Sequence, residues 1–308
     1  MRHRAPEALR LEGVGYTYPD SSAGVEDVTL HAEPGMLYGL IGENGAGKTT
    51  LMKLMLGLLR PSSGRVLLGS QPMGRQRGTL SAIGSLIEGP SLYLHLTGQE
   101  HLEVFAAYYG LDRSTVRGAL ELVGLAGAAS TIVKRYSLGM KQRLGLATAL
   151  LHDPSILVLD EPMNGLDPGG MVELRDLLIQ LAASGRTVIV SSHLLSEVEK
   201  SAGRIGIIHQ GKLRFEGSPE AFRQSRNSVA GVRLRVADPS AAAQQLSRLG
   251  RGCSIQGEWL IVTGAGDGEV GELVRELAAA GHDIRSVEML KPSLEDDYLA
   301  LLREAPDA

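Results

Sequence analysis

The chain has 308 residues, of which 43% are hydrophobic and 21% charged, and its formal net charge is −4. Residues 1–224 carry 22 basic and 22 acidic side chains, while residues 225–308 carry 9 basic and 13 acidic ones. This composition predicts an ordinary globular protein of one or two domains and lacks the basic arm that would wrap nucleic acid. A single cysteine, Cys253, excludes an internal disulfide and any multi-cysteine metal site.

Neither a secretory signal nor a membrane span is expected from the hydropathy pattern. The first seven residues contain no apolar run. No apolar stretch approaches the roughly 18 residues that a membrane-spanning helix needs. If this protein acts at a membrane, we expect it to do so from the surface and through a partner.

Residues 9–41 have the composition of strands and turns. Tyr18 lies just before Pro19-Asp20, a turn signal at the end of a predicted strand. An exposed tyrosine ring there could stack on an adenine base. Simple packing of the strand is the alternative interpretation for this residue.

The strongest motif is residues 42–49, which match the phosphate-binding pattern G-x-x-x-x-G-K-[ST]. It follows a predicted buried strand and precedes a predicted helix, so its backbone N–H groups and the helix dipole would face phosphate oxygens. Lys48 would reach the β- and γ-phosphates, and the Thr49 hydroxyl would coordinate Mg²⁺. The residues predicted to hold the nucleotide here are Gly42, Glu43, Asn44, Gly45, Ala46, Gly47, Lys48, Thr49 and Thr50.

A predicted strand and then a helical stretch follow this loop. Residues 83–88 are predicted to form a strand that ends at Glu88, and residues from about 96 to 152 have helical periodicity. Ser137 occupies the N-cap position of the last of these helices. The free N–H groups of this helix start would form a second phosphate site, although locally an ordinary capped helix is the better explanation of the pattern.

Two later apolar strands end in polar residues. Residues 156–161 end in Asp160 and Glu161, and residues 187–193 end in His193. Ligands of open α/β sheets bind where parallel strands end, so we expect these side chains to share one edge. Asp160 is placed to bind Mg²⁺ and Glu161 to take a proton from an attacking water. The alternatives are a solvated acidic turn and a structural histidine.

A second unit is predicted after a polar boundary at residues 218–230. Its elements follow a β-α-β, β-α-β order, a ferredoxin-like pattern, and Ser293 would cap a last helix. We therefore expect an ATP-binding domain at 9–222, with its helical subdomain at about 96–152, and an α+β accessory domain at 229–304. A regulatory role and a purely stabilising role remain open for the accessory domain.

Taken together, these motifs resemble the ATP-binding subunit of an ABC transporter. The matching elements occur in family order: Tyr18, 42–49, 136–140, 156–161, 164–167 and His193. The resemblance covers about residues 9–220. It implies an α/β fold, a P-loop NTPase core with an antiparallel β subdomain and a helical subdomain.

The same resemblance implies the chemistry and the partners. ATP and Mg²⁺ would be the cofactors, Lys48, Glu161 and His193 the catalytic residues, and Thr49, Glu88 and Asp160 the metal ligands. A head-to-tail homodimer would place each ATP between one P-loop and Ser137, Gly139 and Met140 of the second subunit. The family works with a multi-span membrane permease at the cytoplasmic face of the membrane, and no nucleic acid partner is expected.

Departures from the usual family motifs point to a branch. Residues 136–140 replace the common Leu-Ser-Gly-Gly-Gln, and Glu88 replaces a glutamine, which adds negative charge near the metal. Residues 83–90 and 136–140 look like the bacitracin and lantibiotic exporter branch, and residues 292–296 look like the ending of drug-export ATPases. This resemblance implies export of an antimicrobial peptide or drug, and hence antibiotic resistance.

Two other classes compete with transport. A non-transport ATPase of the same fold, acting in nucleic-acid or assembly processes, is the main alternative. A P-loop kinase or GTPase is disfavoured because Ser137, Gly139 and His193 would have no role and the guanine-binding Asn-Lys-x-Asp motif does not occur in the sequence.

Overall fold

The computed structural model describes residues 7–19, 23–73, 81–226, 231–263, 269–290 and 294–304. The chain divides into two compact units, residues 1–219 and residues 220–308. Within the described ranges, no helix is both long and apolar enough to cross a membrane. The predicted residues Asp20, Asn227, Ser228, Pro292 and Ser293 lie outside the described part of the chain.

The first unit combines two sheets with a set of helices. Its strands are β1 (Leu9–Thr17), β2 (Gly24–Ala32), β3 (Leu37–Ile41), β4 (Ser63–Leu68), β5 (Gln71–Pro72), β6 (Ile83–Leu86), β7 (Ile156–Leu159), β8 (Thr187–Ser192), β9 (Arg204–His209) and β10 (Lys212–Gly217). Its helices are α1 (Lys48–Met55), α2 (Gly98–Tyr109), α3 (Arg113–Leu122), α4 (Leu138–Leu150), α5 (Pro168–Ala183) and α6 (Leu195–Ser201). Helix α7 (Pro219–Ser225) begins where the two units divide.

The central sheet positions the site. Its strand order is β10-β9-β3-β8-β7-β6, and β3, β6, β7, β8 and β9 pair in parallel. Strands β3, β7 and β8 are buried along their whole length, as expected for strands covered on both faces. Their carboxyl ends meet at one edge, so the residues that follow β3, β7 and β8 come together there.

The second sheet of this unit is antiparallel, with the order β2-β1-β4-β5. One apolar cluster joins its inner face, including Leu11 and Leu30, to Leu51 and Met55 of α1 and to Leu40 of β3. This packing anchors α1, whose first turn carries the P-loop lysine. The predicted antiparallel β subdomain is thus present beside the P-loop core.

The helical layer consists of α2, α3 and α4. A capping box at Thr97 and Glu100 begins α2, because each side chain accepts a backbone N–H of the other. Helix α2 ends at Gly110, which has a φ of +67°. Inside the layer, burial lowers the pKa of His101 to about 4, and its ring bonds Thr148 at 3.1 Å. The predicted helical subdomain is present, with α4 beginning at the predicted cap Ser137.

One packing prediction within the first unit was wrong. The helical periodicity of α5 predicts five inward-facing side chains: Val172, Leu174, Leu177, Leu178 and Leu181. Three of the leucines are buried and Leu177 is half-buried, but Val172 is 43% exposed. It belongs to the second turn of α5, on a side of the helix that is open to solvent, where Glu173 is exposed as well.

The second unit has the predicted β-α-β-β-α-β order followed by a helix. Its elements are β11 (Gly231–Val236), α8 (Pro239–Arg248), β12 (Cys253–Gln256), β13 (Trp259–Thr263), α9 (Val270–Ala279), β14 (Ile284–Leu290) and α10 (Leu294–Glu304). The sheet order is β12-β13-β11-β14, with antiparallel neighbours. Leu234 and Leu260 of the sheet pack against Leu246 of α8 and Leu273 of α9. The classification as ferredoxin-like, and the role of this unit, stay predictions.

Candidate active site

The glycine-rich loop after β3 curls into a cradle at the start of α1. Gly45 and Gly47 have φ values of +83° and +109°, a region that side chains disfavour. A Cβ on Gly47 would lie 2.8 Å from Cγ1 of Val25, so only glycine fits there. The loop lines a cavity of about 260 Å³, whose walls are Ala23, Gly24, Glu43, Asn44, Gly45, Gly47, Lys48, Thr49, Thr50, Asp160 and Glu161.

Lys48 is held at the floor of this cradle. Its Nζ donates to the carbonyl oxygens of Gly42 at 2.7 Å and Glu43 at 3.1 Å. The side chain is 6% exposed and lies 3.5 Å from Oε1 of Glu161. A buried cation at a helix N-terminus, with backbone acceptors that a phosphate oxygen can replace, suits a polyphosphate.

Thr49 and Asp160 form an oxygen pair beside the loop. The Thr49 hydroxyl donates to Oδ2 of Asp160 at 2.9 Å, across 111 residues of chain. In the described residues, no group of three or more His, Cys, Asp or Glu side chains could hold a metal ion alone. Hydroxyl and carboxylate oxygens supplemented by nucleotide phosphates are the ligands that Mg²⁺ prefers, so this pair fits that ion.

Glu161 and His193 meet at the same edge of the sheet. His193 Nδ1 lies 2.7 Å from Oε2 of Glu161, although 32 residues separate them. Glu161 Oε1 is buried and has no hydrogen-bond partner among the described residues. A carboxylate with one oxygen oriented by a histidine and the other free of hydrogen bonds, though 3.5 Å from the Lys48 ammonium, is placed to accept a proton. The structure therefore brings together the three residues predicted to be catalytic, Lys48, Glu161 and His193.

Tyr18 lies next to the loop helix. Its hydroxyl is 3.4 Å from Oγ1 of Thr50, and its ring meets Tyr16 edge-on at 5.0 Å. A cavity of about 540 Å³ shares Ala23, Gly24 and Gly45 with the P-loop cavity, and its lining includes Tyr16 but not Tyr18. Stacking of Tyr18 on an adenine base stays a prediction.

Glu88 is paired with a lysine that the sequence analysis did not single out. Its Oε1 lies 2.7 Å from Nζ of Lys53, which stands one helical turn after Thr49 on α1. The hydrogen bond to Glu88 raises the pKa of Lys53, and Asp160 acts in the same direction. The extra negative charge at Glu88 is thus opposed by a cation close to the proposed metal ligands.

This pairing predicts opposite effects for the two partners. We expect Glu88→Gln to raise the Mg²⁺ concentration needed for half-maximal ATP hydrolysis by about two- to tenfold, because it removes an attraction and leaves Lys53 unbalanced. We expect Lys53→Met to lower it, while nucleotide affinity changes less in both variants. Mg²⁺ titrations of the ATPase rate measure both effects, and superimposable titrations would place Glu88 away from the metal.

Comparison with known proteins agrees with this geometry. An ABC transporter family model matches residues 25–164. The bacitracin transport ATP-binding protein BcrA of Enterococcus faecalis is 40% identical over 96% of this chain and 96% of its own length. The chain belongs to the ABC transporter ATP-binding proteins.

Two further similarities support the assignment of this ABC ATPase. The lantibiotic transport ATP-binding protein SrtF of Streptococcus pyogenes is 43% identical over 68% of this chain and 90% of its own length. A solved structure described as an ATP binding subunit of an ABC transporter superposes with a TM-score of 0.64 at 29% identity, covering 70% of this chain and 92% of that one. The predictions of family, fold class and ATPase activity are confirmed.

The predicted second phosphate site of the ABC ATPase lies elsewhere on the chain. Ser137 caps α4 by accepting the Met140 N–H at 3.2 Å, and its side chain is exposed. Among the described residues that line the P-loop cavity, neither Ser137, Gly139 nor Met140 occurs. The turn at 164–167 packs beside this helix start, since a Cβ on Gly165 would lie 2.2 Å from Cδ2 of Leu138. Within one chain, the P-loop cavity therefore lacks three of the residues predicted to bind the nucleotide, Ser137, Gly139 and Met140.

The sequence analysis did not identify Ser191 as a residue of the ATPase site. This buried residue of β8 donates its hydroxyl to Oδ1 of Asp160 at 2.6 Å and accepts the N–H of Glu161 at 2.8 Å. The available signal was a polar pair, Ser191-Ser192, at the carboxyl end of an otherwise apolar strand. The sequence does not show which of the two hydroxyls faces Asp160 and Glu161, because that depends on which strands are neighbours in the sheet.

Proposed function

We propose that this chain binds Mg²⁺·ATP at the P-loop cavity and powers export of an antimicrobial peptide or drug through a membrane permease. The observation that carries the proposal is the meeting of Lys48, Asp160, Glu161 and His193 at one edge of the sheet. Proteins named for bacitracin and lantibiotic transport, related over most of their lengths, support the substrate class.

The residues have separate roles in the proposed hydrolysis. Lys48 and the N–H groups of the loop neutralise the phosphates, and His193 contacts the γ-phosphate and orients Glu161. Glu161 Oε1 takes the proton of the attacking water while the bond from the γ-phosphorus to ADP breaks. Bound Mg²⁺, held by Thr49 and Asp160 with Glu88 nearby, would supply charge neutralisation of the β- and γ-oxygens.

A second copy of the chain would complete each site. Ser137 and Leu138 are exposed, so the start of α4 is open to solvent in the single subunit. A head-to-tail homodimer would place this helix start, with Gly139 and Met140, over the γ-phosphate bound at the partner's P-loop. The turn Asn164–Asp167, packed beside it, would then line the interface between subunits.

The permease would contact the helical layer. Several large apolar side chains in the chain segment around α2 are exposed: Tyr93, Leu94, Val104 and Tyr108. An exposed apolar surface of this kind suits a protein partner. We infer that the chain sits at the cytoplasmic face of the membrane through this partner, and that closure of the ATPase dimer reaches it through the region between Glu88 and residue 135.

Purification from membranes tests this function. The full chain carrying an affinity tag should copurify from detergent-solubilised membranes of its native host with a multi-span membrane protein. Deleting the gene should raise sensitivity to membrane- or cell-wall-active peptide antibiotics, and the intact gene should restore tolerance whereas a Glu161→Gln version should not. Recovery with nucleic acid or a soluble assembly instead, and unchanged sensitivity, would favour the non-transport alternative.

A further inference from the structure

Asp160 and Glu161 are adjacent in the chain but have different proposed roles, metal ligand and general base. Their side chains must therefore be directed to different partners, which requires a defined conformation of the peptide between them. Glu161 has a φ of +46°, in the left-handed region that non-glycine residues rarely occupy. Such a conformation persists only where the surroundings stabilise it, and it recurs at functional sites. The bonds made by the Asp160 carboxylate and the Glu161 N–H restrain this peptide.

Ser191 makes both of those bonds. Its hydroxyl donates to Oδ1 of Asp160 at 2.6 Å, and its oxygen accepts the Glu161 N–H at 2.8 Å. One hydroxyl can satisfy both partners at once, since it has one proton to donate and lone pairs to accept. The residue is fully buried, so no water is needed to complete the arrangement.

The two bonds act on the two carboxylates in different ways. With Oδ1 of Asp160 held by Ser191, Oδ2 is presented to the Thr49 hydroxyl at 2.9 Å. With its N–H held by Ser191, Glu161 keeps the backbone conformation that directs Oε2 to His193 at 2.7 Å and Oε1 to Lys48 at 3.5 Å. A single side chain thus links the metal ligand to the general base.

We propose that Ser191 is a positioning residue of the hydrolytic site, which sets the orientation of Asp160 toward the metal and of Glu161 toward the attacking water. It acts through these two residues and contacts no substrate atom itself. This inference rests on the proposed roles of Asp160 and Glu161 in ATP hydrolysis.

Ser191→Ala in the full chain tests the proposal, with Ser155→Ala as a matched control. Ser155 is also buried and donates its hydroxyl to the Ala82 carbonyl at 3.3 Å, at the other end of β7 from Asp160. Loss of a hydrogen bond that orients a ligand or a base typically lowers metal affinity or activity by about 10- to 100-fold. We expect Ser191→Ala to lower kcat by about that factor, with the KM for ATP within about threefold at saturating Mg²⁺.

Two readouts separate positioning from a merely structural role. The Mg²⁺ concentration that supports half-maximal binding of a fluorescent ATP analogue should rise in Ser191→Ala but not in Ser155→Ala. In a Glu161→Gln background, Ser191→Ala should cause a smaller further loss of kcat than it causes in the wild type, because the base it positions is gone. If Ser191→Ala does not fold, Ser191→Cys keeps the shape of the side chain with a slightly larger and only weakly hydrogen-bonding group, and it should show the same losses.

The outcomes are distinguishable from failure of the proposed function. A wild-type chain that does not hydrolyse ATP would overturn the function itself. If the wild type is active, two results would overturn the role of Ser191. In the first, Ser191→Ala keeps kcat within about twofold of the wild type; in the second, Ser155→Ala shows the same losses as Ser191→Ala. The proposal would also be contradicted if Ser191→Ala lowered kcat by the same factor in Glu161→Gln as in the wild type and left the Mg²⁺ requirement unchanged.

Discussion

Glu161→Gln is expected to slow ATP hydrolysis by about 10²–10⁴-fold, the usual share of a general base, while ATP still binds. Glutamine has nearly the same size as glutamate, so the substitution leaves no cavity beside Lys48 and His193. In the wild type, Lys48 Nζ lies 3.5 Å from Oε1 of Glu161 and His193 Nδ1 lies 2.7 Å from Oε2. It cannot accept the proton of the attacking water at Oε1, the buried oxygen without a hydrogen bond among the described residues. Single-turnover hydrolysis with labelled ATP measures the loss.

The same variant should accumulate an ATP-bound dimer. Size-exclusion chromatography with ATP should show a dimer for Glu161→Gln, and the same sample with ADP should show less of it. Glu12→Gln is the control, since Glu12 pairs with Arg65 on the antiparallel sheet and lies outside the lining of the P-loop cavity. Unchanged turnover in Glu161→Gln would remove this residue from the role of base.

The second large effect concerns the division of the ATP site between two chains. Lys48→Met removes the cation that bonds the carbonyls of Gly42 and Glu43, and we expect it to abolish detectable hydrolysis. Ser137→Arg places a bulky cation at an exposed helix start and should disable only the ATP site that this helix start would complete. Ser137→Ala controls for the lost cap, which by itself is worth about 1 kcal/mol of stability.

Mixed dimers purified through two different tags decide between a shared and a self-contained site. A dimer of one Lys48→Met chain with one Ser137→Arg chain has one intact shared site, so hydrolysis should return although each variant alone is inactive. A dimer of one wild-type chain with one chain carrying both substitutions has no intact shared site and should be inactive. If ATP were hydrolysed within one subunit, the two mixed dimers would give the reverse result.

Local sequence determined much of this protein. The strand, glycine loop and helix around Lys48 were predictable because a buried strand, positive-φ glycines and a helix N-terminus are encoded within about 20 consecutive residues. Asp160 and Glu161 were predictable for the same reason, since they end an uninterrupted apolar strand. The order of the elements in the second unit also followed from alternating patterns and turn signals.

Only the tertiary structure decided how these pieces meet. Ser191 reaches Asp160 and Glu161 because β8 lies between β3 and β7, a strand order that no local pattern encodes. Lys53 finds Glu88 across 35 residues for the same kind of reason. Periodicity records which face of an element is buried, whereas hydrogen bonds between side chains depend on which elements are neighbours, and that is set by packing of the whole unit.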